Sequence, residues 1–211
     1  IPDSACGCFN ARLIDVTLLS QCNHFHIMGS SLFSFRMIEA MHKAIEIVKQ
    51  NQGTVSFDPN IRKEMLNIPE MEQAFDYILE YTDIFLPSES EISHFSSSKH
   101  QSEASVIQEL LNHGIAHVVV KRGPQGASHY QMTAGSLHEL HVKGSGGEVI
   151  DPTGAGDCFG ATFVSLLLAG YPIRQALEFA NASGAIAVSS KGPMEGLSSL
   201  TQLNKFLSVS G

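Results

Sequence analysis

Short apolar runs rich in β-branched residues alternate with longer segments of helical period along most of this chain. The predicted strands cover 24–30, 54–60, 83–88 and 116–123, and a predicted hairpin covers 127–142. The predicted helices cover 35–51, 68–82, 102–115, 155 to about 170 and 173–189, and another is expected to open within 88–95. Such alternation is typical of βαβ units. We predict an α/β fold, a three-layer Rossmann-like sandwich with a mostly parallel central sheet, formed by a single domain over residues 1–211.

Charge and hydropathy exclude several classes of partner. The formal net charge is −8 over 211 residues, whereas a protein that binds nucleic acid needs a basic surface. No apolar run reaches the roughly 18 residues of a membrane-spanning helix, and no secretory signal is visible. We therefore predict no nucleic-acid partner, no membrane partner and a cytoplasmic location.

Cysteines and histidines do not form a recognisable metal motif. No Cys-x-x-Cys pair occurs, so Cys6, Cys8, Cys22 and Cys158 are expected to be free thiols, most of them small buried hydrophobic residues. The segment His24–His26 would direct two imidazoles to one face of a strand. No carboxylate or cysteine accompanies that pair, and the sequence does not predict a zinc site.

Polar and glycine residues follow three of the predicted strands. These segments are 58–62, 121–126 and 151–157. In open parallel sheets, ligands bind beyond the carboxyl ends of the strands. The three segments are therefore the candidate ligand-binding residues.

The stretch IDPTGAGDCFG, residues 150–160, places three glycines and two aspartates at the start of an apolar helix. Unpaired N–H groups and the positive end of the helix dipole form an anion site there. Asp157 would repel a phosphate unless it accepts the proton of a hydroxyl that attacks the phosphorus. The alternative is a plain glycine turn in which the carboxylate only stabilises the helix dipole.

The stretch DPTGAGDCFGATFVSLLLAG resembles the second signature of the ribokinase/PfkB family of carbohydrate kinases. VVVKRGPQG is similar to the turn beside the ATP phosphates, FANASGAIAVSSKGPMEG to the adenine pocket and FDPNIRKEML to the D-x-N-x-R segment. The resemblance covers the chain from about His24 onward, and FHIMGSSL with DPNIR is most similar to the 2-keto-3-deoxygluconate kinase branch. It implies a ribokinase-like enzyme that uses ATP and Mg²⁺ to phosphorylate a hydroxymethyl group of a sugar or sugar acid.

The resemblance also implies a role for individual residues. Asp157 would be the catalytic base. The anion hole for the transferred phosphoryl group would be formed by Gly154, Ala155 and Gly156. The nucleotide would be bound by Lys121, Gly123, Gly126 and, near the adenine, Asn181. The acceptor would be bound by Asn60 and Arg62.

Two kinds of metal ion follow from the same resemblance. Glu91 would reach Mg²⁺ through water, although Ser88 replaces the asparagine of the family's N-x-x-E turn. The monovalent-cation loop, with K⁺ as the candidate ion, would be formed by Asp151, Thr153, Ala187, Ser190 and Gly192.

Simpler interpretations stay open for several of these residues. Lys121 fits an ordinary solvated lysine, Glu91 a helix-start carboxylate and Asp151 a cap of its own loop. Asp58, Asn60 and Arg62 fit a turn with a surface ion pair.

The family's first part, with a Gly-Gly sugar-binding motif and a β-lid, is expected to be missing from this chain. The alternative function is accordingly a truncated, non-catalytic nucleotide-binding fragment. Because the lid often forms the family's dimer, the resemblance leaves a homodimer open.

Overall fold

A computed structural model describes residues 8–32, 34–62, 65, 69–98 and 101–210. The chain divides into two compact units, Ile1–Val118 and Val119–Gly211. The single domain over residues 1–211 stays a prediction. Within the described residues, no helix combines the length and the apolarity that a membrane span requires.

The first unit contains parallel strands joined by helices. Its strands are β1 (His24–Met28), β2 (Thr54–Asp58), β3 (Ile84–Phe85) and the start of β4 (His117–Lys121). Its helices are α1 (Val16–Leu19), α2 (Phe35–Gln50), α3 (Pro69–Glu80) and α4 (Glu103–Asn112). Each strand pairs in parallel with the next, from β1 to β4. The predicted parallel βαβ arrangement is confirmed.

The second unit holds the end of β4, a hairpin and three further helices. Strands β5 (Ala127–Thr133) and β6 (Ser136–Val142) pair antiparallel, as the sequence predicts. The helices are α5 (Ala155–Leu168), α6 (Ile173–Val188) and α7 (Leu200–Ser210). Among the described residues the hydrogen-bonded strand order is β1-β2-β3-β4-β5-β6, which confirms an α/β fold with a mostly parallel sheet.

Local sequence signals explain the helices of the first unit. The side chain of Ser34 caps α2 by accepting the N–H of Met37, and Ser102 caps α4 through the N–H of Ser105. The buried face of α2 has the spacing of an amphipathic helix and comprises Met37, Ala40, Ala44, Ile45 and Val48. The capping residues and the spacing of the apolar residues therefore indicate the same two helices, α2 and α4.

Three predictions about the fold need correction. Residues 88–95 contain only the short 3₁₀ helix Ile92–Phe95 in place of a longer helix. Helix α7 was not expected, although Ser199 and Gln202 form a capping box just before it, with Ser199 N–H donating to Gln202 Oε1 at 2.8 Å. Of the described cysteines only Cys158 is buried, whereas Cys8 is exposed and Cys22 is half-buried; Cys6 lies outside the described residues.

Two histidines of β1 bind hydroxyl groups of β2. His24 Nδ1 lies 2.7 Å from Thr54 Oγ1, its Nε2 lies 2.8 Å from Ser56 Oγ, and His26 Nδ1 lies 2.7 Å from the same Ser56 oxygen. Both rings therefore share one face of the sheet, as the alternation of a strand predicts. The described residues contain no group of three or more His, Cys, Asp or Glu side chains that could hold a metal ion.

Protonation of two half-buried histidines is expected to destabilise the fold. Burial lowers the pKa of His24 and of His117 below 6.5, against the opposing charge of Asp83. The unfolded chain therefore binds more protons below that pH, so the free energy of unfolding falls as the pH falls from about 6.5. Urea unfolding at a series of pH values between about 7.5 and about 5 measures the slope.

Single substitutions test whether His24 causes this pH dependence of the free energy of unfolding. His24→Gln should flatten the slope, whereas His138→Gln, on the exposed part of β6, should leave it as in the parent chain. Equal slopes in all three proteins would contradict the assignment to His24.

Candidate active site

A cavity of about 410 Å³ lies within the second unit. Its lining comes from the end of β4, the loop after β6, the start of α5 and one side of α6. The predicted site residues that line it are Lys121, Gly123, Gly126, Ala155, Gly156 and Asn181. Residues predicted from three separate sequence segments thus meet at one cavity.

The start of α5 presents open N–H groups. Gly154 is the N-cap residue, and no side chain caps the helix there. Its φ of +81° lies in the left-handed region that glycine favours. The N–H of Ala155 donates to the carbonyl of Pro152 at 3.3 Å, so this group is already engaged. Among the described residues the N–H groups of Gly156 and Asp157 have no acceptor. The turn therefore has open donors of the kind that the predicted anion site requires, and these are Gly156 and Asp157 rather than Ala155.

Asp157 itself lies in the first turn of α5 and is exposed. Its neighbour Cys158 is buried, and burial raises the pKa of that thiol, with the Asp157 charge adding to the effect. The helix therefore turns one side of its first turn to the apolar interior and leaves the carboxylate accessible to a ligand.

Lys121 reaches the same turn from the end of β4. A Cβ added to Gly156 would lie 3.7 Å from Lys121 Nζ. A cation and open N–H groups therefore lie side by side, although the two segments are far apart in sequence. This combination favours an anion with several oxygens, such as a phosphate chain.

The turn Gly123–Gln125 and Gly126 form one wall of the cavity. Gly126 has a φ of +96° and a ψ of −135°, and a Cβ there would overlap the carbonyl oxygen of Val142. Only glycine fits this close approach of two main chains. The second glycine of the G-x-x-G motif is therefore explained by packing against the end of β6.

Asn181 fixes the loop that follows β6. It is 7% exposed, and its Nδ2 donates to the carbonyls of Val142 and Lys143, both at 3.1 Å. The two N–H groups of the amide are thus used to hold the start of the glycine-rich loop, residues 144–147, which lines the cavity. Sequence reasoning missed this loop, although three glycines in four residues directly after a predicted strand were an available signal.

Replacement of Asn181 by leucine, which has a similar size, should release this loop. We expect affinity for the predicted nucleotide to fall by up to about thirtyfold, because two main-chain carbonyls lose their donor, each at a typical cost of about 1 kcal/mol. Calorimetric titration with a non-hydrolysable ATP analogue measures the change. Asn204→Leu, on the exposed face of α7, where the amide bonds a carbonyl of its own helix, is the control, and equal affinities of the two variants would contradict this role of Asn181.

The predicted cation-loop residues also lie together. Asp151 Oδ1 accepts the N–H of Thr153 and its Oδ2 accepts the N–H of Gly192, both at 3.0 Å. Hydrogen bonds from Thr153 and from the Gly192 N–H lower the pKa of Asp151. The Ser190 N–H donates to the Ala187 carbonyl at 3.3 Å. Asp151 therefore caps its own loop, as the simpler interpretation holds, and it also ties that loop to Gly192.

The remaining candidates lie in the first unit. Asp58 is buried, and its Oδ1 accepts the N–H of Asn60 at 3.2 Å, while Asn60 Nδ2 donates to Met28 Sδ at 3.3 Å. Arg62 is exposed; its carbonyl accepts the N–H of Met65 at 2.9 Å, and its guanidinium forms no hydrogen bond or ion pair with another described residue. Glu91 accepts hydrogen bonds from Ile61 and Ser88. The burial of Asp58 does not fit the surface ion pair of the simpler interpretation.

Comparison with known proteins identifies carbohydrate kinases as relatives of this chain. The family model described as pfkB family carbohydrate kinase matches residues 8–200. The chain is 31% identical over 195 residues to the chloroplastic Arabidopsis thaliana protein named "Probable fructokinase-6", covering 87% of this chain and 49% of that protein. It is 29% identical over 193 residues to the 2-dehydro-3-deoxygluconokinase of Bacillus subtilis, covering 90% of this chain and 58% of that protein.

A solved structure agrees in fold. A chain from E. coli named Ribokinase II, in complex with ATP and Mg²⁺, is 48% identical with a TM-score of 0.92. The match covers 99% of this chain and 66% of that one. The ribokinase-like fold is therefore confirmed. The chain spans about half to three fifths of the length of the curated relatives it matches.

Proposed function

Because the chain belongs to the pfkB family of carbohydrate kinases, we propose that it transfers the γ-phosphoryl group of ATP to a hydroxymethyl group of a sugar or sugar acid. One observation carries the proposal: the first turn of α5 has open N–H groups at Gly156 and Asp157, and Gly156 lies beside Lys121 at the cavity of the second unit. A phosphate chain satisfies both the donors and the cation.

In this proposal the residues at the start of α5 have two different roles in phosphoryl transfer. The carboxylate of Asp157 accepts the proton of the attacking hydroxyl, which makes the oxygen a better nucleophile. The N–H groups at the helix start, in the segment Gly154–Asp157, stabilise negative charge on the transferred phosphoryl group. Lys121 compensates the charge of the triphosphate, and Gly123 and Gly126 allow it to approach the main chain.

Metal ions complete the proposed site. Mg²⁺ keeps several water ligands and binds mainly through substrate phosphates and one or two carboxylates, so a cage of protein ligands is not required. It supplies neutralisation of phosphate charge when it is bound with ATP. For a monovalent cation such as K⁺, the proposed ligands are oxygens of Asp151 and Thr153, in the loop before α5, and of Ala187, Ser190 and Gly192, at the end of α6 and in the loop after it.

The proposed acceptor is a sugar acid or a ketose. The guanidinium of Arg62 is exposed and its planar fork matches a carboxylate, which favours an acid such as 2-dehydro-3-deoxygluconate. Fructose is the second acceptor, since both kinds of kinase occur among the relatives. Asn60, two residues before Arg62, is proposed to contact the same acceptor.

Release of ADP from Mg-ATP in the presence of single sugars tests the proposal. The sugars are 2-dehydro-3-deoxygluconate, 5-dehydro-2-deoxygluconate and fructose. Turnover of one of them supports the proposal and excludes the non-catalytic alternative. Nucleotide binding without turnover of any sugar would favour that alternative. The homodimer and the cytoplasmic location stay predictions, which sedimentation and cell fractionation would test.

A further inference from the structure

The carboxylate of Glu91 binds two separate segments of the first unit. Its Oε1 accepts the N–H of Ile61 at 2.6 Å, and its Oε2 accepts the N–H and the Oγ–H of Ser88, both at 2.7 Å. A carboxylate offers about four acceptor positions, so these three hydrogen bonds use most of its capacity. Hydrogen bonds to a charged acceptor are the short and strong ones in proteins. Glu91 therefore ties the turn after β3 to the segment after β2.

The segment after β2 is fixed at each residue up to Ile61. Asn60 has a φ of +37°, near the left-handed region that asparagine tolerates better than most residues, and its N–H and its side chain are both hydrogen-bonded. A Cβ on Gly29 would overlap the carbonyl oxygen of Pro59, so β1 also confines the path. Glu91 holds the N–H of Ile61, the residue directly before Arg62, and the carbonyl of Arg62 accepts the N–H of Met65 at 2.9 Å on the other side.

We infer that Glu91 is a positioning residue that holds the main chain at Ile61, so that Arg62 is directed to the acceptor. The inference rests on the proposed function for the identity of what Arg62 binds. When an exposed arginine binds a ligand, its side chain and the adjoining main chain both lose freedom. A main chain that is already fixed lowers the total cost of this ordering. The charge of Glu91 thus contributes to acceptor affinity through Arg62.

Glu91→Gln tests this role with little change of shape. The amide keeps one oxygen, but its NH₂ group then faces an N–H or O–H donor, so one of the two segments is released. We expect the KM for the acceptor to rise about tenfold, as for loss of one hydrogen bond to a charged group. We expect kcat and the Mg²⁺ concentration for half-maximal activity to stay as in the parent chain. The amide proton resonance of Ile61 should move upfield, because it loses a carboxylate acceptor.

Glu89→Gln is the matched control, since it removes the same charge from the same turn and should leave the acceptor KM and the Ile61 resonance unchanged. Ser88→Ala removes one hydrogen bond to Glu91 and should raise the acceptor KM in the same direction by a smaller factor. It provides the test if Glu91→Gln does not fold.

Either of two results would overturn the inference. One is a higher Mg²⁺ requirement with an unchanged acceptor KM, which would make Glu91 a residue of the metal site. The other is an Ile61 resonance that does not move. If no sugar is turned over by the parent chain, the proposed function fails. In that case the Ile61 resonance and the Mg²⁺ dependence of nucleotide binding by calorimetry still decide the role of Glu91.

Discussion

Asp157→Asn is expected to lower the turnover number by about 10²- to 10⁴-fold, the range that a general base contributes. The amide has nearly the same shape as the carboxylate but cannot accept the proton of the attacking hydroxyl. Asp157 is exposed in the first turn of α5 and has no hydrogen-bond partner among the described residues. The melting temperature and the nucleotide affinity should therefore stay close to those of the parent chain. Steady-state kinetics, thermal unfolding and calorimetry on the same preparation measure the three quantities.

Asp76→Asn is the control for this substitution, because Asp76 is an exposed aspartate of helix α3. It should change none of the three quantities. A variant at position 157 with the parent's turnover would show that the proton is accepted elsewhere.

Gly154→Ala is expected to lower both stability and nucleotide affinity. Its φ of +81° costs an alanine roughly 1–2 kcal/mol. The new Cβ would lie 2.8 Å from the carbonyl oxygen of Pro193, and overpacking of this kind costs about 1–3 kcal/mol more. The free energy of unfolding should thus fall by about 2–5 kcal/mol. Because the start of α5 must shift, its N–H groups leave their positions, and affinity for the ATP analogue should fall at least about tenfold.

Gly170→Ala provides the matched control. Gly170 also has a φ of +81°, but a Cβ there would meet no atom within 4 Å. It should lose only the roughly 1–2 kcal/mol of backbone strain and should keep its nucleotide affinity. Equal losses of stability and affinity in the two variants would contradict the role of the Pro193 contact in placing the anion site.

Features that depend on local sequence could be predicted. The start of α5 follows from glycines in front of an apolar helix, and the positive φ of Gly154 agrees with that reading. The parallel strands follow from apolar runs between helical segments, and the hairpin β5–β6 follows from two such runs separated by Ala134–Gly135. In each case the residues that determine the structure are neighbours in the chain.

Features that depend on contacts between distant segments could not be predicted. The hydrogen bond from Ile61 to Glu91 joins residues separated by 30 positions, and only the path of the main chain brings them together. For the same reason the sequence did not reveal that the amide of Asn181 holds the carbonyls of Val142 and Lys143. The sequence also predicted an open N–H at Ala155, because the turn that brings this group to the carbonyl of Pro152 could not be predicted from the residue types.

Calorimetric titration of this chain with a non-hydrolysable ATP analogue and Mg²⁺ tests the central claim most directly. The double variant Gly154→Val, Gly156→Val is titrated for comparison, because it alters the start of α5 and the position beside Lys121. The account predicts binding by the parent chain and loss of that binding by the variant. Absence of binding by a parent chain that unfolds cooperatively would contradict a triphosphate site at the start of α5.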